Sequence, residues 1–427
     1  MFSKKKVTGI ALAVAVGFSS VVSAAPAMAV DEAKVLTIWA DESRGPNLTR
    51  ALGAVEAQKL GEWVSGYKVA VKTFSSFDAL KTAVDNATAI SGPDIIVGAN
   101  DWVATGAANG KLAPITLTAS VKKNFNPNSF LDLSFKGKLY GVPVDVNNVA
   151  MIYNTKLVKT APKTFGEMVD LYKANKTSKG LKSGLCIAGG GMSFGGYSVF
   201  SALGGGAYQM KSGAVDTKAN PVDVTAFSAN VKKYLLDAKG KSNGFFPAVD
   251  TGCKDAFIAG KVPFAVIGNW EWKDYVAKGF SMATMMPVPG VKAGTYGAAF
   301  GSVSGALLTS FAATNGNEAG AKQLLKAFFA SKDGQYLYQR YEQRPPANKL
   351  AAAMSSAAQV GFGKSASLAS VPQIGAILGD ATGGKNYWDA TPALWTAVLV
   401  QGKDVKTEAT KLNTILKKNM LAGVKKL

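Results

Sequence analysis

Asp41, Glu42 and Arg44 crowd the polar string Asp41-Glu-Ser-Arg-Gly-Pro-Asn47, directly after the compact apolar run Val35-Leu-Thr-Ile-Trp39. A carboxylate accepts hydrogen bonds from two adjacent hydroxyls and a guanidinium donates a fork of them, so this trio suits a ligand rimmed with hydroxyl groups. Asp101 follows a second apolar run, Asp94-Ile-Ile-Val97, and equally suits the N-cap of a helix starting at Trp102. Trp270 and Trp272 lie two apart beyond a third run, Pro263-Phe-Ala-Val-Ile267, where extended backbone would turn both rings to one side. Polar groups for a hydroxyl rim and aromatic rings for C–H faces are the two requirements of a carbohydrate site.

The chain contains no histidine, which removes Ser-His-Asp and Cys-His nucleophilic sites and histidine-ligated zinc. Acid–base chemistry would rest on carboxylates, tyrosine or lysine. Asp41, Glu42 and Asp101 could supply the carboxylate pair of a glycosidase or polysaccharide lyase, which needs about 5–10 Å across the scissile bond. The glycine-dense stretch 189–206 does not place a G-x-G-x-x-G fingerprint after the opening strand, so its glycines read as close packing and not as a dinucleotide site.

The elements that must hold these residues alternate. The run at Val35–Trp39 reads as a strand, helix-spaced Leu48, Leu52 and Val55 follow, and Val69, Val71 and Thr73 mark a second strand. A helix over 77–88, the strand at 94–97 and a short helix after Asp101 continue the pattern, which predicts a mainly parallel sheet. A second series runs from Asn148: a strand at 149–153, a helix over 165–175, a strand at 185–188 and the strand at 263–267. In open α/β sheets ligands sit beyond the strand C-termini, which is where the polar and aromatic residues fall.

The first residues read as an export signal over 1–29: Lys4, Lys5 and Lys6, an apolar run from Val7 to Val22, and Ala27-Met-Ala29. No later stretch reaches the roughly 18 apolar residues of a membrane span. Some 400 remaining residues exceed one hydrophobic core, so two lobes are expected. In an exported chain the two cysteines, Cys186 and Cys253, suggest one disulfide. The formal charge of +20 falls to +17 without the three signal lysines. Because the lysines are scattered, the charge reads as a solvated surface that would favour an anionic ligand or envelope, not as a nucleic-acid face.

Four segments together resemble carbohydrate-type extracellular solute-binding proteins of ABC importers, the maltose- and maltodextrin-binding group: Leu36-Thr-Ile-Trp-Ala-Asp41; Gly92-Pro-Asp-Ile-Ile-Val-Gly-Ala-Asn-Asp101; Gly137-Lys-Leu-Tyr-Gly-Val-Pro-Val-Asp-Val-Asn-Asn148 with Ile152-Tyr-Asn154; and Ala256-Phe-Ile-Ala-Gly-Lys261 with Gly268-Asn-Trp-Glu-Trp272. The resemblance implies a two-lobe α/β, periplasmic-binding-protein-like fold with interleaved domains and a multi-crossing hinge. One lobe would be 30–145 and 300–348, the other 146–299 and 349–427. It implies ligand contacts at Asp41, Glu42, Arg44 and Asp101, and at Asn147, an amide where the family often carries an acid. Phe194, Tyr197 and Trp270 are implied as aromatic contacts, with Trp272 beside them. Arg344, where the chain re-enters the hinge, and Tyr387 and Trp388 on a late loop complete the expected set.

Capture of a di- or oligosaccharide such as a maltose-type glucoside, closure, and delivery to the transmembrane subunits of an ABC permease would follow. No cofactor, no nucleic acid and a monomeric state are expected, in the periplasm, outside the cell or at the envelope. The alternatives are the same fold around an anion, a polyamine or a peptide, or a carbohydrate-active enzyme.

Overall fold

The protein, as a computed structural model, is described over residues 34–426, apart from 54–62, 212–213, 248–251, 282–283, 343, 355–356 and 380–384. The expected export signal lies outside the described residues. Lys34–Ala40 (β1) is a buried-type strand, and Gly45–Leu52 (α1) follows it, with Pro46 in its first turn where a missing N–H is harmless. Tyr67–Thr73 (β2) pairs with β1 in parallel from Lys34↔Tyr67 to Ala40↔Thr73. Phe77–Asn86 (α2) starts at Ser76, whose side chain accepts from the Ala79 amide at 3.0 Å. Ile95–Ala99 (β3) lies parallel to β1 on its other side and leads into Trp102–Ala108 (α3).

Gly141–Asn147 (β4) and Val149–Tyr153 (β5) follow one another but belong to different sheets. Phe165–Asn175 (α4) is capped by Thr164, whose side chain accepts from the Glu167 amide at 3.1 Å. Next come Leu185–Ile187 (β6), the short helices Gly191–Phe194 (α5), Tyr197–Ala202 (α6) and Cys253–Ile258 (α7), then Phe264–Gly268 (β7), Trp272–Val276 (α8) and Met285–Met286 (β8). Strands β8, β5, β7 and β6 form the second sheet in that order, with β5 antiparallel to β7 and β7 parallel to β6. Cys186 on β6 and Cys253 on α7 form a disulfide across a separation of 67 residues.

Ala299–Leu308 (β9) returns to the first sheet and runs antiparallel to both β3 and β4; Lys332–Glu342 (α9) follows it in the chain. Ser370–Pro372 (β10) pairs in parallel with the start of β9. Gly375–Leu378 (α10), Tyr387–Trp395 (α11) and Val405–Val424 (α12) complete the chain, with α10 and α12 packed together. The first sheet is therefore mixed and not mainly parallel, because the long β9 enters against β3.

Two principal cores result. One gathers Leu36, Ile38, Ile96, Val142, Val144, Val303, Leu307 and Phe328; the other gathers Val149, Met151, Phe165, Phe264, Phe300, Trp395 and Leu412. The change of core falls between Val144 and Val149 on the outward pass and between Phe300 and Val303 on the return. Within β9, Phe300 is buried in one core and Leu307 in the other, so this one strand traverses both.

Candidate functional site

A cleft of about 660 Å³ opens beside the C-terminal ends of β1, β2 and β3 on one side and the aromatic residues around β7 and α5 on the other. Its walls bring together Asp41, Glu42, Arg44, Asp101, Asn147, Phe194, Trp270, Arg344 and Trp388, nine of the residues singled out from sequence.

The loop after β1 is built around Asp41. Its Oδ1 accepts from the Ser43 amide at 2.9 Å, the Ser43 hydroxyl at 2.7 Å and the Arg44 amide at 2.9 Å, which turns the chain into α1. The Arg44 guanidinium then spans the site. Nη1 donates to Asp41 Oδ2 at 2.6 Å, Nε to Asp145 Oδ2 at 3.2 Å, and Nη2 to Asn147 Oδ1 at 3.2 Å and Ser304 Oγ at 2.5 Å. Asn147 completes the ring by donating from Nδ2 to Ser304 Oγ at 2.8 Å. Burial alone would push the Asp41 and Asp145 carboxyls up, but Arg44, seconded by Arg344 and local hydrogen bonds, holds both below the usual carboxylate range.

Arg344 extends the same network. Its Nη1 donates to Glu342 Oε1, its Nη2 donates to Ser43 Oγ at 3.1 Å, and Asn47 Nδ2 donates to Glu342 Oε2 at 2.7 Å. Burial raises the Glu342 carboxyl despite both arginines. The Arg344 guanidinium carbon lies 5.9 Å from the centre of the Trp270 ring, bringing charged and aromatic walls together.

Asp101 follows β3 but does not cap α3 through its side chain. Its Oδ1 has no protein hydrogen-bond partner, and burial pushes its carboxyl up to about 6 against its own backbone amide and the charge of Lys81. Here the N-cap expectation fails, because the backbone at Asp101 is already helical, φ −69° and ψ −10°, which directs the side chain away from the first-turn amides.

The aromatic wall depends on close backbone approach. A Cβ on Gly189 would lie 2.2 Å from the Gly268 amide nitrogen, and Gly190 takes a positive φ of 69° before Phe194. Phe194 lies 5.9 Å from Trp270 and 6.0 Å from Phe300, and Trp388 lies 5.8 Å from Phe300, between ring centres.

Three expected contacts are not on this wall. Tyr197 is buried and stacks on Phe300 at 4.0 Å and 14°, so its ring supports the wall from behind. Tyr387 is fully buried and donates its hydroxyl to the Ser193 carbonyl at 2.7 Å. Trp272 turns into a core with Phe362. The Glu271 carboxylate accepts from the Gly268 amide at 3.0 Å, which closes a helical turn over Asn269–Glu271, so Trp270 and Trp272 do not share a face.

Sequence reasoning missed Ser43, Phe77, Asp78, Ser193, Ser302, Ser304 and Gln373, all on the cleft wall. Phe77 and Asp78 follow β2 as Asp101 follows β3, so the strand-end rule that found Asp41 and Asp101 also points to them. Asp145 is buried behind the wall, and nothing in its local sequence announces Arg44 as its partner. The described residues hold no group of three or more Cys, Asp or Glu arranged to bind a metal ion.

The bacterial extracellular solute-binding protein family matches residues 57–361. The maltooligosaccharide ABC transporter solute-binding lipoprotein of Streptococcus pneumoniae is 31% identical over 146 residues, covering 34% of this chain and 33% of that protein. The maltotriose-binding protein of Pyrococcus abyssi is 27% identical over 223 residues, 49% of this chain and 45% of its own. The galactooligosaccharide-binding protein of Bacillus subtilis is 25% identical over 325 residues, 74% and 73% of the two chains. The match thus spans about a third of the length of the streptococcal relative and under half of the archaeal one.

Proposed function

The chain belongs to the bacterial extracellular solute-binding protein family, and we propose that its cleft captures an oligosaccharide and hands it to the transmembrane subunits of an ABC importer. The observation that carries this reading is the union, in one cleft, of a polar rim with an aromatic wall of Phe194, Trp270 and Trp388. Asp101, Asn147, Ser302 and Gln373 offer acceptors and donors to hydroxyls, while the rings offer flat apolar faces to C–H groups. The relatives, named as binding proteins for maltooligosaccharide, maltotriose and galactooligosaccharide, point the same way.

The lobes are taken as 30–145 with 300–348, and 146–299 with 349–427, in keeping with the two cores. Rotation about the crossings at 145–148 and 300–303 would let both walls meet the ligand only when closed, and a ligand held by both walls draws the protein into that state. A monomer, no cofactor and binding without turnover complete the proposal. Relatives of the family are transport binding proteins, and no helix among the described residues is long and apolar enough to cross a membrane.

Thermal unfolding of the purified chain against maltotriose, galactotriose, free amino acids and phosphate tests the assignment. A saturable rise in Tm with a trisaccharide is expected. Stabilisation by phosphate or amino acids with none by any saccharide would overturn it.

A further inference from the structure

We infer that the captured saccharide carries protonated amines, as an oligosaccharide of glucosamine units does, and that Glu42, Asp78 and Asp101 recognise them. This rests on the reading of the cleft as an oligosaccharide site and narrows its substrate class.

Over the whole chain 48 Lys and Arg face 28 Asp and Glu. The cleft reverses the ratio: four acids, Asp41, Glu42, Asp78 and Asp101, line it with two arginines and no lysine. Neither arginine is free to meet an anion. Arg44 is 5% exposed and Arg344 4% exposed, and their guanidiniums are engaged by Asp41, Asp145 and Glu342. Three carboxylates therefore already face two guanidiniums inside the wall, which leaves no positive charge over for the ligand.

The three remaining acids have no such partner. Glu42 and Asp78 are exposed at the cleft, and neither they nor Asp101 enters an ion pair among those of the described residues. Asp101 has a further mark of an incomplete site in its Oδ1, which is sealed from solvent without a hydrogen bond. Asp78 lies in the first turn of α2, at the cleft end of that helix. The excess positive charge elsewhere does not cancel this field, because exposed charges beyond the Debye length of about 8 Å at physiological ionic strength are largely screened, while a cleft concentrates its own. A linear polyamine would meet the acids but leave the rings of Phe194, Trp270 and Trp388 without flat faces to cover; an amino-sugar chain meets both.

Calorimetric titration of the full chain at pH 7 with glucosamine trimer, N-acetylglucosamine trimer, maltotriose and spermidine decides the matter. The glucosamine trimer should bind at least about tenfold tighter than either neutral trimer, a difference of about 1.4 kcal/mol. That ratio should shrink at 0.5 M salt and collapse in the Glu42→Gln, Asp78→Asn, Asp101→Asn triple variant. Equal or tighter binding of a neutral trimer overturns the amine assignment and leaves oligosaccharide capture standing. Binding of spermidine alone, or of nothing, overturns both.

Discussion

Arg44 Nε stands 3.2 Å from Asp145 Oδ2, a buried ion pair between residues 101 apart that ties the loop after β1 to the end of β4. Asp145 is within three residues of the point where the chain changes core, so the pair braces the cleft rim against the crossing segment.

Truncating this guanidinium leaves Asp41 and Asp145 buried without their counter-charge. Arg44→Met should lower stability by about 3–5 kcal/mol, read from urea unfolding at pH 7. The pH dependence fixes the mechanism. Both carboxyls are held below their unfolded values, so their contribution is present above about pH 4 and is lost as pH falls through the lower folded values. The gap between wild type and Arg44→Met should therefore narrow on acidification. A gap unchanged between pH 7 and pH 2 would contradict the ion-pair account.

Asp101 behaves in the opposite sense. Its folded value, pushed up to about 6, exceeds that of the unfolded chain, so ionised Asp101 disfavours the folded state above pH 6 and costs nothing below about pH 4. Asp101→Asn should be more stable than wild type at pH 7 by up to about 3 kcal/mol, with the advantage vanishing between pH 6 and pH 4. Thermal unfolding across that window checks it.

The two tryptophans should separate cleanly. Trp270→Ala removes a cleft ring packed on Phe194 and should weaken saccharide binding by about tenfold or more while costing less stability than a core truncation. Trp272→Ala empties a core position beside Phe362 and should cost about 3–5 kcal/mol of stability. Titration and urea unfolding of both variants read the two effects, and the reverse pattern would restore Trp272 to the cleft.

Cys186 and Cys253 close a loop of 67 residues, for which chain entropy assigns about 4 kcal/mol. Cys253→Ser should unfold at lower temperature than wild type by an amount matching wild type under reductant. Identical Tm values with and without reductant would show that the bond adds nothing.

The sequence was most readable where strand periodicity and position act together. Apolar runs ending at Trp39, Val97 and Ile267 announced three strands, and the residues just beyond them, Asp41, Asp101 and Trp270, do line the cleft. The antiparallel entry of β9 was not readable, because strand direction depends on a partner some 200 residues away in the chain. Trp272 misled because the Glu271 carboxylate converts an extended-looking segment into a helical turn. Tyr197 and Tyr387 were placed in the right neighbourhood but one layer too shallow, since the Phe300 ring that covers them comes from β9. The scattered positive charge read as a solvated surface that would favour an anionic ligand or envelope; in the cleft, Arg44 and Arg344 are paired with buried acids, and Glu42, Asp78 and Asp101 stand on its wall without such partners among the described residues.

The most direct test of oligosaccharide capture in this cleft is calorimetric titration of wild type and Trp270→Ala with a set of trisaccharides, neutral and amine-bearing. The account predicts saturable one-to-one binding of at least one trisaccharide to wild type, weakened about tenfold or more in the variant. No binding by any trisaccharide, or binding that the loss of Trp270 leaves unchanged, would contradict it.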